Sequence, residues 1–147
     1  MLGSGVVGGI FFAFSSFVMR ALARMPSASG LEAMQWINKT VINPHFLGVF
    51  MGTAAVSVAA IVIGILRWSS PGSELIIAGG AVYIVGTFLV TMVGNVPLNN
   101  ALEKVLPEAS GSVKVWEDYM KKWTRWNHVR TFAAIVSSLL CCLAISH

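Results

Sequence analysis

Residues 46–66, "FLGVFMGTAAVSVAAIVIGIL", contain no Asp, Glu, Lys or Arg. A helix needs roughly 17–25 consecutive apolar residues to cross the hydrocarbon core of a bilayer. No water is available there to bond to the backbone, so a spanning segment has to be a helix or a strand of a closed barrel. This run therefore predicts a transmembrane helix.

Three more runs lack charge, at residues 1–19, 75–94 and 131–147. The chain has 147 residues, of which 56% are hydrophobic and 11% charged, whereas a soluble domain has about 25% charged residues. It is too short for a barrel, so we predict a single all-α domain that forms an integral membrane four-helix bundle. The expected helices cover about residues 2–22, 45–67, 75–95 and 128–146, with connections at about 23–44 and 96–127.

The charge distribution predicts an orientation. Nine of the ten Lys and Arg lie within residues 20–45 and 96–130, and the tenth is Arg67. Positively charged connections tend to stay cytoplasmic, so both termini are expected outside, in the inner membrane of a bacterium. The net charge of +4 thus indicates contact with the lipid bilayer and not with nucleic acid. Because Arg20 and Arg24 follow the first apolar run, that run is not typical of a signal peptide.

The first connection contains a predicted short helix at about residues 31–42. Apolar residues recur there at helical spacing, and Ser29 is a candidate N-cap. Asn43 and Pro44 are typical of an N-cap followed by a first-turn proline, and they predict the start of the second transmembrane helix.

The second connection predicts a helix break and an amphipathic helix. Pro97 has no N–H to donate, so the third helix is expected to kink or restart around Asn95. A stripe of mainly apolar residues then recurs at helical spacing, at Val113, Trp116, Met120, Trp123 and Asn127. This pattern predicts an interfacial helix that continues into the fourth transmembrane helix.

Small residues recur within the apolar runs, for example in "GVFMG" at residues 48–52. Such spacings allow helix backbones to approach closely. They favour a compact bundle, and they are equally compatible with a homo-oligomer.

Uncharged polar residues collect on the predicted inner side of the membrane. All six asparagines lie there, together with Gln35 and two of the three histidines, His45 and His128. A buried amide is costly unless it is hydrogen-bonded, so these groups are expected to pair around a polar cavity. The alternative is that the asparagines only cap helices and that Arg130 reaches the lipid headgroups. The residues expected at the cavity are Asn95, Asn99, Asn127, His45, His128 and Arg130.

The motifs that would indicate a nucleotide or a common metal site are not visible in the sequence. There is no GxGxxG, P-loop, CxxC or HExxH. Two imidazoles, one fixed cation, several amides and a Trp-rich wall remain. Such a set suits the deprotonation of a planar, weakly acidic organic molecule and the stabilisation of the anion that forms.

Four stretches together resemble the anthrone oxygenase-like membrane family, whose largely bacterial members are mostly of unknown function. They are "GGIFFAFSSFVMRAL", "AMQWINKTVINPHF", "GNVPLNNAL" and "WNHVRTFAAI", and they cover nearly the whole chain in order. The resemblance implies a monooxygenase that adds O2-derived oxygen to anthrones, giving anthraquinones, without a flavin or haem cofactor. It also implies a pocket formed by Gln35, Asn38, Asn95, Pro97, Asn99, Trp126, Asn127, His128 and Arg130.

The mechanism expected from these residues starts with proton removal by a histidine. His128, with His45 as the second choice, takes a benzylic proton from a phenolic substrate. Arg130, Asn95 and Asn99 hold the resulting anion, which then reduces O2. The residues expected to bind the substrate are Gln35, Asn38, His45, Trp126 and Asn127.

Two alternatives remain open at this stage. One is an oxidase with a copper or iron ion between His45 and His128, with amide oxygens or water as further ligands. The other is a membrane protein without enzymatic activity that binds a partner or lipid headgroups. The basic residues Lys121, Lys122 and Arg125 would then contact anionic lipid.

Overall fold

The computed structural model describes residues 1–146, so His147, the last residue of the fourth uncharged run, lies outside the described range. Within the described residues the chain is helical and contains no strand. We number five helices along the chain: α1 at Leu2–Leu22, α2 at Ser27–Thr40, α3 at Pro44–Leu66, α4 at Ser73–Glu103 and α5 at Ser112–Ile145.

Helices α1, α3, α4 and α5 are each long and apolar enough to cross a membrane. Helix α5 packs along both α1 and α4, and α3 packs against α4 and, less extensively, against α1. This arrangement confirms the predicted all-α membrane bundle. The amphipathic segment and the fourth transmembrane helix form one continuous helix of 34 residues, as predicted.

Helix α2 packs at the end of the bundle where α1 and α4 end. Its Leu31 and Met34 are fully buried and belong to the same apolar cluster as Leu102 of α4 and Trp116 of α5. The helix was predicted to start near residue 31 with Ser29 as N-cap, but it starts at Ser27 and makes no side-chain cap bond. The preceding Pro26 is extended at ψ 139°, so the chain turns into the helix directly after the proline.

The predicted start of the second transmembrane helix is confirmed. The Asn43 Oδ1 accepts hydrogen bonds from the backbone N–H groups of His45 and Phe46, both at 3.0 Å. Pro44 occupies the first turn, where its missing N–H costs nothing. The cap therefore fixes the position at which α3 enters the membrane.

Helix α4 continues past Pro97, and an α-helical segment restarts at Val96, next to Asn95, where a kink or restart was predicted. It runs on to Glu103, with π-helical turns at Tyr83–Leu89 and Thr91–Asn95. The N–H of Val96 bonds to the carbonyl of Thr91, five residues back. This wider turn changes the carbonyl positions just before Pro97, where an ordinary helix would clash with the proline ring.

Only some of the glycines bring helices together. A Cβ placed on Gly86 of α4 would lie 2.5 Å from the Cβ of Ala133 in α5, so this close approach requires glycine. Gly48 and Gly52 of the "GVFMG" pattern, in contrast, face open space, with no atom within 4 Å of an added Cβ. That pattern therefore makes no helix contact within the described chain.

Candidate active site

A cavity of about 430 Å³ lies within the half of the bundle next to α2. Its volume falls in the range of roughly 300–1,000 Å³ that is typical of small-molecule sites. The inner wall is made of buried side chains from three different helices: Phe11 of α1, Phe50 of α3, and Trp123 and Arg130 of α5. The cavity is thus an aromatic chamber with one cation in its wall.

Arg130 is almost fully buried, with 6% of its surface exposed. Its guanidinium carbon lies 3.8 Å from the centre of the Phe11 ring and 5.0 Å from that of Trp123. Contacts of this kind are favourable because the face of an aromatic ring is electron-rich. The two rings therefore hold the plane of the guanidinium at the cavity wall.

Arg130 has no carboxylate partner among residues 1–146. Within this range the only ion pair joins Lys39 and Glu103 at 2.7 Å, and both of these side chains are about half exposed. The guanidinium donates from Nε to Asn127 and, at a longer 3.4 Å, from Nη1 to Thr91. The other N–H groups of the Arg130 guanidinium have no partner among the described residues. Because a buried cation is normally paired, we expect these groups to bind an anion in the cavity.

Asn127 holds Arg130 in position. Its Oδ1 accepts the Arg130 Nε hydrogen bond at 2.9 Å. Its Nδ2 donates to the Phe11 carbonyl at 2.8 Å and to the Ser15 hydroxyl at 2.7 Å. Both ends of this fully buried amide are therefore used, and its orientation is fixed by α1. Asn127 is a positioning residue that lies behind the cavity wall.

Asn99 is one of the residues that line the cavity. Its Oδ1 accepts hydrogen bonds from the Trp123 indole at 2.8 Å and from the Tyr119 hydroxyl at 3.0 Å. Because an indole N–H can only donate, the oxygen of the amide must face Trp123. The Asn99 Nδ2 makes no hydrogen bond to another described residue, and Asn38 lines the same cavity.

Asn95 and Gln35 support the site without lining it. Asn95 is fully buried and donates to the Trp123 carbonyl at 3.2 Å, whereas its Oδ1 has no partner among the described residues. Gln35 donates to the carbonyls of Leu102 and Val105 and so satisfies the end of α4. Both amides connect helices around the cavity.

His45, His128 and Trp126 lie outside the cavity. All three are exposed, and none contributes to its lining. The His128 Nδ1 is 2.9 Å from the Ser15 hydroxyl, the same group that accepts a hydrogen bond from Asn127. Successive residues of a helix are rotated by about 100°, so His128 points away although Asn127 points inward. Trp126 packs over Gly94, where an added Cβ would lie 2.8 Å from the indole.

The structure thus brings together part of the predicted set. Arg130, Asn99 and Asn38 line one cavity, and Asn127 and Asn95 lie directly behind its wall. The two histidines do not join them, and no group of three or more His, Cys, Asp or Glu side chains within residues 1–146 has metal-site geometry. Any ion between His45 and His128 would need ligands from outside this set.

Sequence reasoning missed several residues of the site. Tyr119 stacks between Trp116 and Trp123, with ring centres 5.8 and 6.3 Å away, and its helical spacing from them was a usable signal. Phe11 and Thr91 carried no signal, because an ordinary apolar residue and a threonine in a transmembrane run look the same wherever they face.

Three π-helical segments surround the polar part of α5. Phe14–Val18 supplies Ser15, Tyr83–Leu89 supplies Thr87, which donates to the Arg130 carbonyl at 3.3 Å, and Thr91–Asn95 supplies its two end residues. π-Helical segments are rare in proteins as a whole, but many of those that occur lie at functional sites, because they rotate side chains out of the regular helical register. The position of the three segments therefore indicates that a functional site lies at this end of the bundle.

A known protein family matches most of the chain. Residues 45–140, which exclude α1 and α2, match the family model described as anthrone oxygenase. Searches of curated proteins and of solved structures found no match. The matched segment contains Asn99, Asn127 and Arg130 and covers well over half of the chain. The chain therefore belongs to the anthrone oxygenase family.

Proposed function

We propose that this protein is a membrane-bound oxygenase that oxidises a planar phenolic molecule of the anthrone type with O2. The observation that carries the proposal is the buried Arg130 guanidinium, which lies in an aromatic cavity without a carboxylate partner. Membership of the anthrone oxygenase family supports an oxygenase-like activity. The proposal adds the substrate class and the mechanism.

The overall reaction balances without an external reductant. An anthrone loses its benzylic proton to give an enolate, and this carbanion transfers two electrons to O2 as a new C–O bond forms. The resulting peroxide anion takes up one proton to become a hydroperoxide. The hydroperoxide then loses water, made from its outer oxygen with its hydrogen and the remaining hydrogen on the same carbon, which leaves the quinone. One O2 is consumed, one of its oxygen atoms enters the product and the other leaves as water.

In this mechanism Arg130 stabilises the enolate oxygen. A preorganised hydrogen-bond donor in a site without water stabilises the enolate anion more than it stabilises the neutral ketone. It therefore lowers the barrier to proton loss. The Nδ2 of Asn99 provides a second donor from the same wall. The Phe11 and Trp123 rings offer flat apolar faces to a flat substrate.

The proton is accepted at the mouth of the cavity. Glu103 is the carboxylate among the residues that line it, and it is held at the aqueous edge by Lys39. This assignment differs from the sequence-based expectation, which gave the base role to His128. It follows from the position of His128 outside the cavity lining.

The test is the substitution Arg130→Met, which keeps the length of the side chain and removes its charge. We expect kcat/KM for a model anthrone to fall by about 10²–10³-fold, as for loss of one oxyanion donor. Oxygen uptake and quinone absorbance measure the reaction. Arg125→Met on the exposed side of the same helix is the matched control and should keep full activity. Equal activity of both variants would refute the role of Arg130.

The same assay distinguishes the metal-dependent alternative. It uses protein that elemental analysis has shown to contain no copper or iron. The proposed mechanism needs no flavin, haem or metal, so this preparation should consume oxygen at the full rate. Activity that appears only after copper or iron is added would favour an ion at His45 and His128.

A further inference from the structure

The mouth of the cavity has two chemically different edges. Lys39 and Glu103 form its polar edge, where their ion pair joins α2 to the end of α4. Leu47 and Met51 of α3 and Met92 of α4 form the apolar edge, and they are 37%, 49% and 38% exposed. The opening therefore spans the boundary between water and lipid.

The apolar edge lies within the transmembrane segments. Met51 is seven residues beyond Pro44, which places it roughly 10 Å along the axis of α3 from the helix start. Leu47 and Met51 belong to the span Pro44–Leu66, and Met92 belongs to Ser73–Glu103. Side chains at this depth are surrounded by acyl chains and not by solvent.

The opening exists because α3 and α4 separate towards their inner ends. Helix α3 packs closely against Ser73–Val82 and against the π-helical segment Tyr83–Leu89, whereas it makes no extensive contact with Thr91–Asn95 or the rest of α4. On the inner half of α3, Gly48 and Gly52 face open space. The two helices thus form a lateral gap that leads from the membrane to the buried aromatic wall.

From this geometry we propose that the cavity takes its ligand sideways from the inner leaflet of the bilayer, through the gap between α3 and α4. The ligand class is a lipophilic, flat molecule with one acidic hydroxyl. The body passes between Met51 and Met92, and the hydroxyl oxygen reaches Arg130. This inference rests on the proposed function for the identity of the site, but it concerns binding and not oxidation.

The physical argument is one of partitioning. A tricyclic phenol concentrates in the membrane because burial of apolar surface is favoured by about 25 cal/mol per Å². It is then presented to the gap at a far higher local concentration than in water. Entry of the tricyclic phenol at the aqueous edge is less favourable, since it would disturb the two hydrated charges of the Lys39 and Glu103 ion pair.

The test measures binding to the protein in lipid nanodiscs under nitrogen. The probe is 1-hydroxyanthraquinone, a flat phenol with one hydroxyl that cannot be oxidised further by this reaction, and the signal is quenching of tryptophan fluorescence. The double variant Met51→Trp/Met92→Trp narrows the apolar edge. The matched control is Val56→Trp/Val85→Trp, which adds the same bulk to exposed positions of α3 and α4 away from the cavity.

We expect the association rate to fall at least tenfold in Met51→Trp/Met92→Trp and to stay within twofold in the control. Anthraquinone-2,6-disulfonate, which is equally flat but does not enter membranes, should not compete. Unchanged association in Met51→Trp/Met92→Trp, or competition by the disulfonate, would overturn lateral entry.

This experiment distinguishes failure of the binding inference from failure of the proposed oxygenase activity. Absence of saturable binding to the unmodified protein overturns the inference, whatever the oxygen electrode records. Saturable binding that depends on Met51 and Met92, but without oxygen uptake from a model anthrone, upholds the inference and overturns only the proposed oxygenase activity.

Discussion

At the scale of single residues, the function depends on one buried charge and on the groups that orient it. Arg130 is held by two aromatic rings and by Asn127, and no described carboxylate neutralises it. An arginine that is merely structural would have found an acidic partner, because burying an unpaired charge is expensive. Arg130 is buried without an acidic partner despite this free-energy cost, which is the physical reason to regard it as a binding group.

Asn99 can be tested by a change that keeps its acceptor and removes its donor. Asn99→Asp still accepts hydrogen bonds from Trp123 and Tyr119, but it has no N–H for the substrate and adds a negative charge near the enolate. We expect kcat/KM to fall by about 10²-fold, with a thermal unfolding midpoint close to that of the unmodified protein. Steady-state oxygen uptake and a melting curve measure both. Full activity would remove Asn99 from the site.

His128 gives the opposite expectation. Its ring is exposed and contacts Ser15 outside the cavity, so His128→Ala should leave oxygen uptake within about twofold, far less than the factor of ~10²–10⁴ expected for loss of a general base. Glu103→Gln should slow the reaction instead, because it removes the carboxylate at the mouth. A large loss in His128→Ala with little change in Glu103→Gln would return the base role to the histidine.

At the scale of helices, the site depends on how closely α4 approaches α5. The π-helical turns of α4 bring Thr87, Thr91 and Asn95 to the polar face of α5. This register requires a glycine at the crossing point, where an added Cβ on Gly86 would overlap the Ala133 methyl group. The packing of these two helices therefore determines whether Arg130 faces the cavity.

The close contact of α4 with α5 at Gly86 predicts that two glycine substitutions change the stability of the bundle by different amounts. Gly86→Val should destabilise the bundle by about 1–3 kcal/mol, the usual cost of overpacking. Gly52→Val makes the same chemical change at a position with open space around it and should cost far less. Thermal unfolding in detergent compares the two variants. Equal melting temperatures would show that α4 and α5 do not meet as closely as described.

At the scale of the whole molecule, the asymmetry of charge fixes an expected orientation. Nine of the ten Lys and Arg lie at the end that contains the cavity mouth and the α2 helix, and Arg67 is alone at the other end. The positive end tends to remain in the cytoplasm. A ligand that enters sideways would then come from the inner leaflet.

This orientation can be measured with single cysteines in a Cys141→Ala/Cys142→Ala background. Ser70→Cys, in the turn between α3 and α4, should react with a membrane-impermeant maleimide in intact cells. Ser110→Cys, in the turn before α5, should react only after the cells are opened. The reverse pattern would place the cavity mouth on the outside and would contradict uptake from the inner leaflet.

The sequence alone determined the helical membrane bundle, the cap at Asn43 and the gathering of amides and basic groups at one end. These features follow from local composition and spacing, which act within one helix or at one boundary. The family resemblance is confirmed over residues 45–140, which contain two of its four stretches, "GNVPLNNAL" and "WNHVRTFAAI".

Only the tertiary structure decided which of the polar groups share a cavity. One residue along a helix changes direction by about 100°, so Asn127 is buried behind the cavity wall while His128 is exposed. The π-helical turns of α4 shift the register further and keep the helix continuous past Pro97. Partners such as Phe11 and Arg130 come from opposite ends of the chain, and their contact depends on the packing of α1 against α5 and not on any local pattern.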